Sequence, residues 1–346
     1  MSFSHPALAL GGFRVPEEAG PHERTFMQWP VSRTVHRDAG FLAALQAAVA
    51  RVANTIAAFE PVVMLIAKPH QQSARRLLGG HVELWDFATE DLWCRDSGPL
   101  FAVDGAGRRA IVQLNFNGWG NKQVHVEDGR IARRVADRLD IPVLDSGLVG
   151  EAGGVETDGQ GTLIAHESCW VNTNRNGMVR AEIERRLLAA FGAQTIVWAD
   201  GLKGADITDY HIDALARFAA PGHVVIQIGD AIDPADKWSK AAFATRQALL
   251  GAKDAAGRSF QMTRLPEPRR PRVRARDFVA SYVNYYVCNR AVVMAEFGDR
   301  ETDLEAQRTI ARLYPGREVV AIDVDAIGEA GGGIHCATQQ MPKPQV

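Results

Sequence analysis

Apolar residues recur at helical spacing in five stretches of the chain, near positions 41–59, 129–139, 178–191, 234–252 and 303–314. The fourth carries a start signal, Asp233 as N-cap with Pro234 at the first helical position. A short run of buried-strand type follows each helix, at 61–67, 141–147, 194–200, 260–266 and 317–323. More β-rich sequence lies between, at 109–116, 161–171, 214–230 and 281–297. The chain therefore cycles about five times through helix, strand and further strands. Repetition at the level of elements points to a radial or solenoid arrangement. A doubly wound α/β sheet also alternates strands and helices, but it does not require the extra strand pairs. No linker or low-complexity stretch divides the sequence, so a single domain over residues 1–346 is expected.

Composition narrows the function classes. With 346 residues and 46% hydrophobic content, the chain can bury a large core. A formal net charge of −2 gives no field for nucleic acid or an anionic membrane, and is compatible with a small cationic ligand. Cys94, Cys169, Cys288 and Cys336 are scattered, with no C-x-x-C pair to suggest zinc or thioredoxin chemistry. A chain of this length does not depend on disulfides, so reduced thiols in a cytoplasmic protein are expected. The opening MSFSHPALALGG lacks the basic region of a signal peptide. No window is expected to supply the about 18 apolar residues of a spanning helix.

Each cycle contains one loop dense in polar and glycine residues: 93–99, 151–159, 206–213, 281–284 and 331–340. In a radial fold such loops converge and assemble a site from distant residues. Cys336 closely follows Gly332 and Gly333, whose missing side chains allow a ligand to approach. Its neighbour His335 would point away from it on an extended segment. His211 and Asp213, two residues apart, would share one face of a strand and supply proton transfer and a cation anchor. Asp96, in the turn Arg95-Asp96-Ser97-Gly98-Pro99, suits paired hydrogen bonds to a guanidinium. The same neighbourhood offers Glu90, Asp91, Trp93 and Arg95 for the rest of a cationic substrate. One alternative uses the same residues: Asp209-Tyr210-His211-Ile212-Asp213 is a D-x-H-x-D run similar to a manganese-ligand motif of ureohydrolases. The further ligand motifs of those enzymes are lacking, and Asp230–Asp233 is only a partial echo.

The segments HERTFMQWP (22–30), RDSGP (95–99), NFNGWGNK (115–122), EAGGVETDGQGTL (151–163), NTNRN (172–176), DITDYHIDALARF (206–218) and GGGIHCATQQMP (331–342) run in order along the chain. Together they resemble the agmatine deiminase and bacterial, Porphyromonas-type peptidylarginine deiminase family. That family lies in the guanidino-group-modifying superfamily. The resemblance implies an α/β fold, a five-bladed pseudosymmetric α/β propeller (pentein). It implies Cys336 as nucleophile, His211 as general acid and base, and Asp96 and Asp213 as carboxylates clamping the guanidinium. Glu151 and Asn284 match further substrate-binding positions. No metal and no organic cofactor are implied. The implied partner is a small guanidino cation, with self-association left open. Agmatine, yielding N-carbamoylputrescine and ammonia, is the expected substrate; peptidylarginine and free arginine are the alternatives. Tyr210 and Ala214 depart from the agmatine branch, which usually carries Gly before this His and Asn after this Asp. In this string the chain is closer to the peptidylarginine branch.

Overall fold

A strand that must be buried on both faces needs partners on both edges, and here each central strand finds them within its own cycle. The computed structural model describes residues 10–275 and 277–344, so the N-terminal residues 1–9 lie outside the described residues. Arg109–Gln113 pairs antiparallel with Leu100–Val103 and parallel with Val143–Asp145. Thr162–His166 does the same with Val155–Thr157 and Thr195–Ala199, and His223–Gln227 with Ala216–Ala220 and Gln261–Leu265. Ala291–Glu296 repeats the pattern with Tyr286–Val287 and Glu318–Asp323. In each case a hairpin leads into the central strand and a crossover containing a helix returns the chain parallel to it, because a parallel partner cannot be reached by a tight turn.

The remaining sheet is composite. His22–Gln28 pairs antiparallel with the C-terminal strand Thr338–Pro342 and parallel with Val62–Leu65, which in turn pairs with Val82–Trp85. The two ends of the chain thus complete one sheet, and the fold is mixed α/β with five small sheets.

The long helices are Ala39–Ala57, Ile131–Leu139, Arg180–Phe191, Lys237–Gly251 and Arg300–Leu313. They follow the predicted stretches with shifted ends. The fourth starts after the predicted Asp233 cap: the Asp233 carboxylate instead closes a turn onto the Ala235 amide, and Asp236 caps the helix through Trp238 N and Ser239 N. The first helix, contrary to the sequence expectation, is long and apolar enough to cross a membrane by length and composition. Its Leu45, Val49, Val52 and Ile56 are fully buried, packed in one cluster with Val292, Met294 and Ile327.

Leu45→Ala keeps helix propensity intact while emptying a buried site. It should cost about 2–5 kcal/mol of unfolding free energy in a denaturant titration.

Candidate active site

The polar loops meet where the ends of several sheets converge. After Trp93 the chain makes one helical turn, Cys94–Ser97, closed by Gly98. A Cβ at Gly98 would lie 2.2 Å from the Cys94 carbonyl oxygen, so only glycine permits this turn. The turn buries Asp96, whose Oδ2 accepts from Trp119 Nε1 at 2.9 Å and whose Oδ1 accepts from Gly153 N at 3.2 Å. Trp119 reaches it from a left-handed backbone position (φ 55°) between Gly118 and Gly120.

His211 is delivered by a strained approach. Asp209 (φ 61°) and Tyr210 (φ 72°) are successive non-glycine residues in the left-handed region. The Asp209 carboxylate is fixed by Lys122 Nζ and Arg175 Nη1, both at 2.7 Å, and by Gly204 N at 2.7 Å. The Tyr210 ring stacks on His166 at 4.7 Å, and its carbonyl meets His166 Nδ1 at 2.8 Å. Tyr210 therefore occupies a backbone position natural to glycine, and stacking offsets the strain. Asp209 turns away from His211 and Asp213, so the D-x-H-x-D run does not gather as a ligand set. His211 and Asp213 do not lie on a strand as expected. A 3-10 turn, Ile212–Ala214, carries Asp213, and the strand begins only at Ala216.

Cys336 sits in the turn before the C-terminal strand, partly exposed where the other three free cysteines are buried. Asn284 holds it from two sides: Nδ2 lies 3.2 Å from Sγ, and Oδ1 accepts the Cys336 N–H at 3.2 Å. Sγ lies 3.4 Å from Asp213 Oδ2, while Asp213 Oδ1 is buried with no hydrogen-bond partner among the described residues. One cavity is lined by Cys336, His211, Asp96, Asp213, Trp93 and Trp119, together with Asp206, Ile207 and Val279. Trp93 packs against Gly332, where a Cβ would lie 2.4 Å from its ring.

Several predicted residues stand behind this cavity rather than on it. Glu151 takes Arg175 Nε on both oxygens (3.0 and 2.9 Å) and faces His211 Nε2 at 3.2 Å. The Arg95 guanidinium is committed to Glu18 and Gln340, and its backbone N–H donates to the Cys336 carbonyl at 3.0 Å. Glu90 accepts the amides of Glu127 and Asp128, and Asp91 binds His36 and Gln123, so both serve loop structure. His335, which was expected to point elsewhere, places Nδ1 2.7 Å from Asp213 Oδ2 because its segment is a turn and not extended. The sequence reading missed Trp119, Glu18 and Arg175. Trp119 carried a signal, an aromatic residue between glycines in a polar loop; Glu18 carried none.

Burial dominates the electrostatics. Burial, then Asp213 and Asp96, push the Cys336 thiol well above its ordinary value. Burial raises Asp96 to about 6, with His211 opposing and Glu151 adding to the rise. For His211, burial alone would lower the pKa, but Asp96, Glu151 and Asp213 outweigh it and raise it to about 9. Glu151 would likewise be raised by burial, yet His211 and Arg175 hold it below the usual range. At neutral pH these shifts favour a protonated thiol and a charged imidazole beside the carboxylates that line the cavity.

A reachable thiol, a buried imidazole and paired carboxylates form a centre suited to covalent chemistry on a small cation. The family model for Porphyromonas-type peptidyl-arginine deiminase matches residues 14–342, and the chain belongs to this family. A Streptomyces coelicolor relative, provisionally named an agmatine deiminase, is 39% identical over 339 residues, covering 96% of this chain and 99% of the relative. The agmatine deiminase of Medicago truncatula is 32% identical over 370 residues, covering 96% of each chain. Among solved structures, the agmatine deiminase of Enterococcus faecalis superposes with a TM-score of 0.89 at 27% identity, covering 97% of each chain.

Two measurements probe the electrostatics. Asp213→Asn removes a charge that raises the thiol, so alkylation of Cys336 by iodoacetamide at pH 7 should be faster in that variant than in the wild type. His211 has its folded pKa raised to about 9 from 6.5. Its stabilising contribution is therefore complete below pH 6.5 and is lost as pH rises through about 9. The stability lost over that interval in wild-type thermal melts should shrink in His211→Gln.

Proposed function

We propose that this protein hydrolyses agmatine to N-carbamoylputrescine and ammonia through a covalent intermediate on Cys336. The observation that carries the reading is the buried Asp213 carboxylate in the same cavity as Asp96, with Oδ2 3.4 Å from Cys336 Sγ and Oδ1 without a partner among the described residues. Two carboxylates flanking a sulfur supply the acceptors that a planar guanidinium requires, and they hold its carbon for attack.

The guanidinium brings one positive charge to a site in which Asp96 and Asp213 disfavour thiolate, so substrate binding itself lowers the thiol pKa. The thiol releases its proton to solvent as the cation binds, and the thiolate adds to the guanidinium carbon, forming a C–S bond as one C–N π pair moves onto nitrogen. His211, charged in the resting site and kept upright by Glu151 at Nε2, gives a proton to a departing terminal nitrogen. Ammonia leaves, and an S-alkylthiouronium remains on Cys336. Neutral His211 then takes a proton from water as that water attacks the same carbon. The C–S bond breaks, the sulfur leaves as thiolate and the ureido product is released. Asp96, Asp213 and His211 act on the reacting group; Glu151, Asn284 and Arg95 act through them; Trp93 and Trp119 wall the cavity.

Agmatine is favoured over free arginine by the charge of the lining. Among the described lining residues there is no arginine or lysine to receive an α-carboxylate, whereas Asp206 offers an acid for a distal ammonium. Peptidylarginine is the second reading, favoured by the family match and by the exposed Ile207 on the lining. In this reading the five sheets are the blades of one pseudosymmetric propeller, a single domain of a cytoplasmic enzyme.

Ammonia release should be fastest with agmatine when it is assayed against arginine and a blocked arginine peptide. Cys336→Ala should abolish it, a loss of roughly 10⁴-fold or more for a removed nucleophile. Full activity in the alanine variant would end the thiol mechanism, and a preference for the peptide would select the second reading.

A further inference from the structure

Beneath the site lies a second buried ionic cluster, of which the chemistry above uses only Arg95. Its hub is Glu18, in the segment that precedes the first strand. Glu18 Oε2 lies 2.9 Å from Arg95 Nη2 and 3.0 Å from His335 Nε2. Oε1 lies 3.0 Å from Arg217 Nη2 and accepts the Val287 N–H at 2.8 Å. Each of these three cationic partners lies within four residues of a site residue in sequence. Arg95 precedes Asp96, His335 precedes Cys336, and Arg217 stands four residues after Asp213. All four side chains are buried.

His335 connects this cluster to the chemistry. Its Nδ1 lies 2.7 Å from Asp213 Oδ2, the oxygen that also lies 3.4 Å from Cys336 Sγ, and Asp213 Oδ1 is left unpartnered. A carboxylate can rotate about its Cβ–Cγ bond, and an unopposed one beside a thiol would turn to accept the S–H proton with both oxygens in reach. A firm donor 2.7 Å from Oδ2 competes with the S–H, which reaches that oxygen only at 3.4 Å, and fixes where Oδ1 points.

We infer that His335, braced by Glu18, is a positioning residue: it pins Asp213 Oδ2 so that Oδ1 faces the guanidinium and the Cys336 thiol is left free to ionise. This rests on the reading of Asp213 as a guanidinium clamp and deepens it. The role belongs to Nδ1 specifically. An asparagine amide reproduces a donor near Nδ1, a glutamine amide reaches toward the Nε2 position and Glu18, and phenylalanine keeps volume with no donor.

The test compares His335→Asn, His335→Gln and His335→Phe in two assays. The Phe and Gln variants should lose about 100-fold in kcat/KM for agmatine, the scale of a misplaced reacting group. The Asn variant should stay within about fivefold, one hydrogen bond having been exchanged for another. In the second assay, the pH midpoint for alkylation of Cys336 should move upward in Phe and Gln and stay in place in Asn. A purely structural role would move none of these midpoints. Equal activity losses in Asn and Gln would overturn the inference, and so would an unmoved midpoint in Gln. If the Phe variant does not fold, the Asn and Gln pair decides. If the wild type releases no ammonia from any guanidino compound, the functional reading fails; the alkylation profile needs no substrate and still decides the role of His335.

Discussion

Carboxylates removed from water must be compensated, and much of this site's arrangement follows from that constraint. Asp96, Glu151, Asp213, Glu18 and Glu156 are all buried within a few residues of one another's partners. An isolated buried charge would cost several kcal/mol, so each is held by a cation or by several donors. Arg175 and His211 serve Glu151, Arg95 and Arg217 serve Glu18, and Arg217 also reaches Glu156 at 3.1 Å. Some of these pairs tie different sheets together: Arg217, on the strand Ala216–Ala220, reaches Glu156 on the strand Val155–Thr157.

The compensation stops one partner short at the cavity. Asp213 Oδ1 has no partner among the described residues, and Asp96 is raised to about 6 with His211 only 3.7 Å from its Oδ1. A guanidinium is the missing charge in both shape and sign. The same deficit bears on the raised thiol: a cation bound between Asp96 and Asp213 would offset the charges that hold its pKa up.

How much of this could be read from the chain depended on whether a feature was local. The hairpin, helix and parallel strand of each cycle must bury the same faces, and that requirement writes five similar patterns into the sequence. In the sheet built from His22–Gln28 and Thr338–Pro342 only the helix and the parallel strand follow that pattern, because its antiparallel pair is formed between strands far apart in sequence. Cys336 and Asp96 stood out in polar loops that carry glycine, and His211 and Asp213 stood out by their spacing in a polar loop. Glu18 and Arg95 meet across 77 positions, and nothing near either residue announces the other. For His335 only the premise of an extended segment fails: the backbone turns there, and the ring meets Asp213. The strained Tyr210 shows the converse: its departure from glycine looked like a statement about substrate, and its stacking on His166 gives a structural reason for it.

The central claim is that Cys336 displaces ammonia from the guanidinium and keeps the rest of the substrate bound to sulfur. Acid quenching during turnover of agmatine, followed by intact-protein and peptide mass analysis, observes this directly. The account predicts an adduct on Cys336 with the mass of agmatine less ammonia, decaying as ureido product forms. An adduct carrying only the amidino group would mean that the other carbon–nitrogen bond breaks. Turnover with no adduct at any quench time would contradict the covalent mechanism itself.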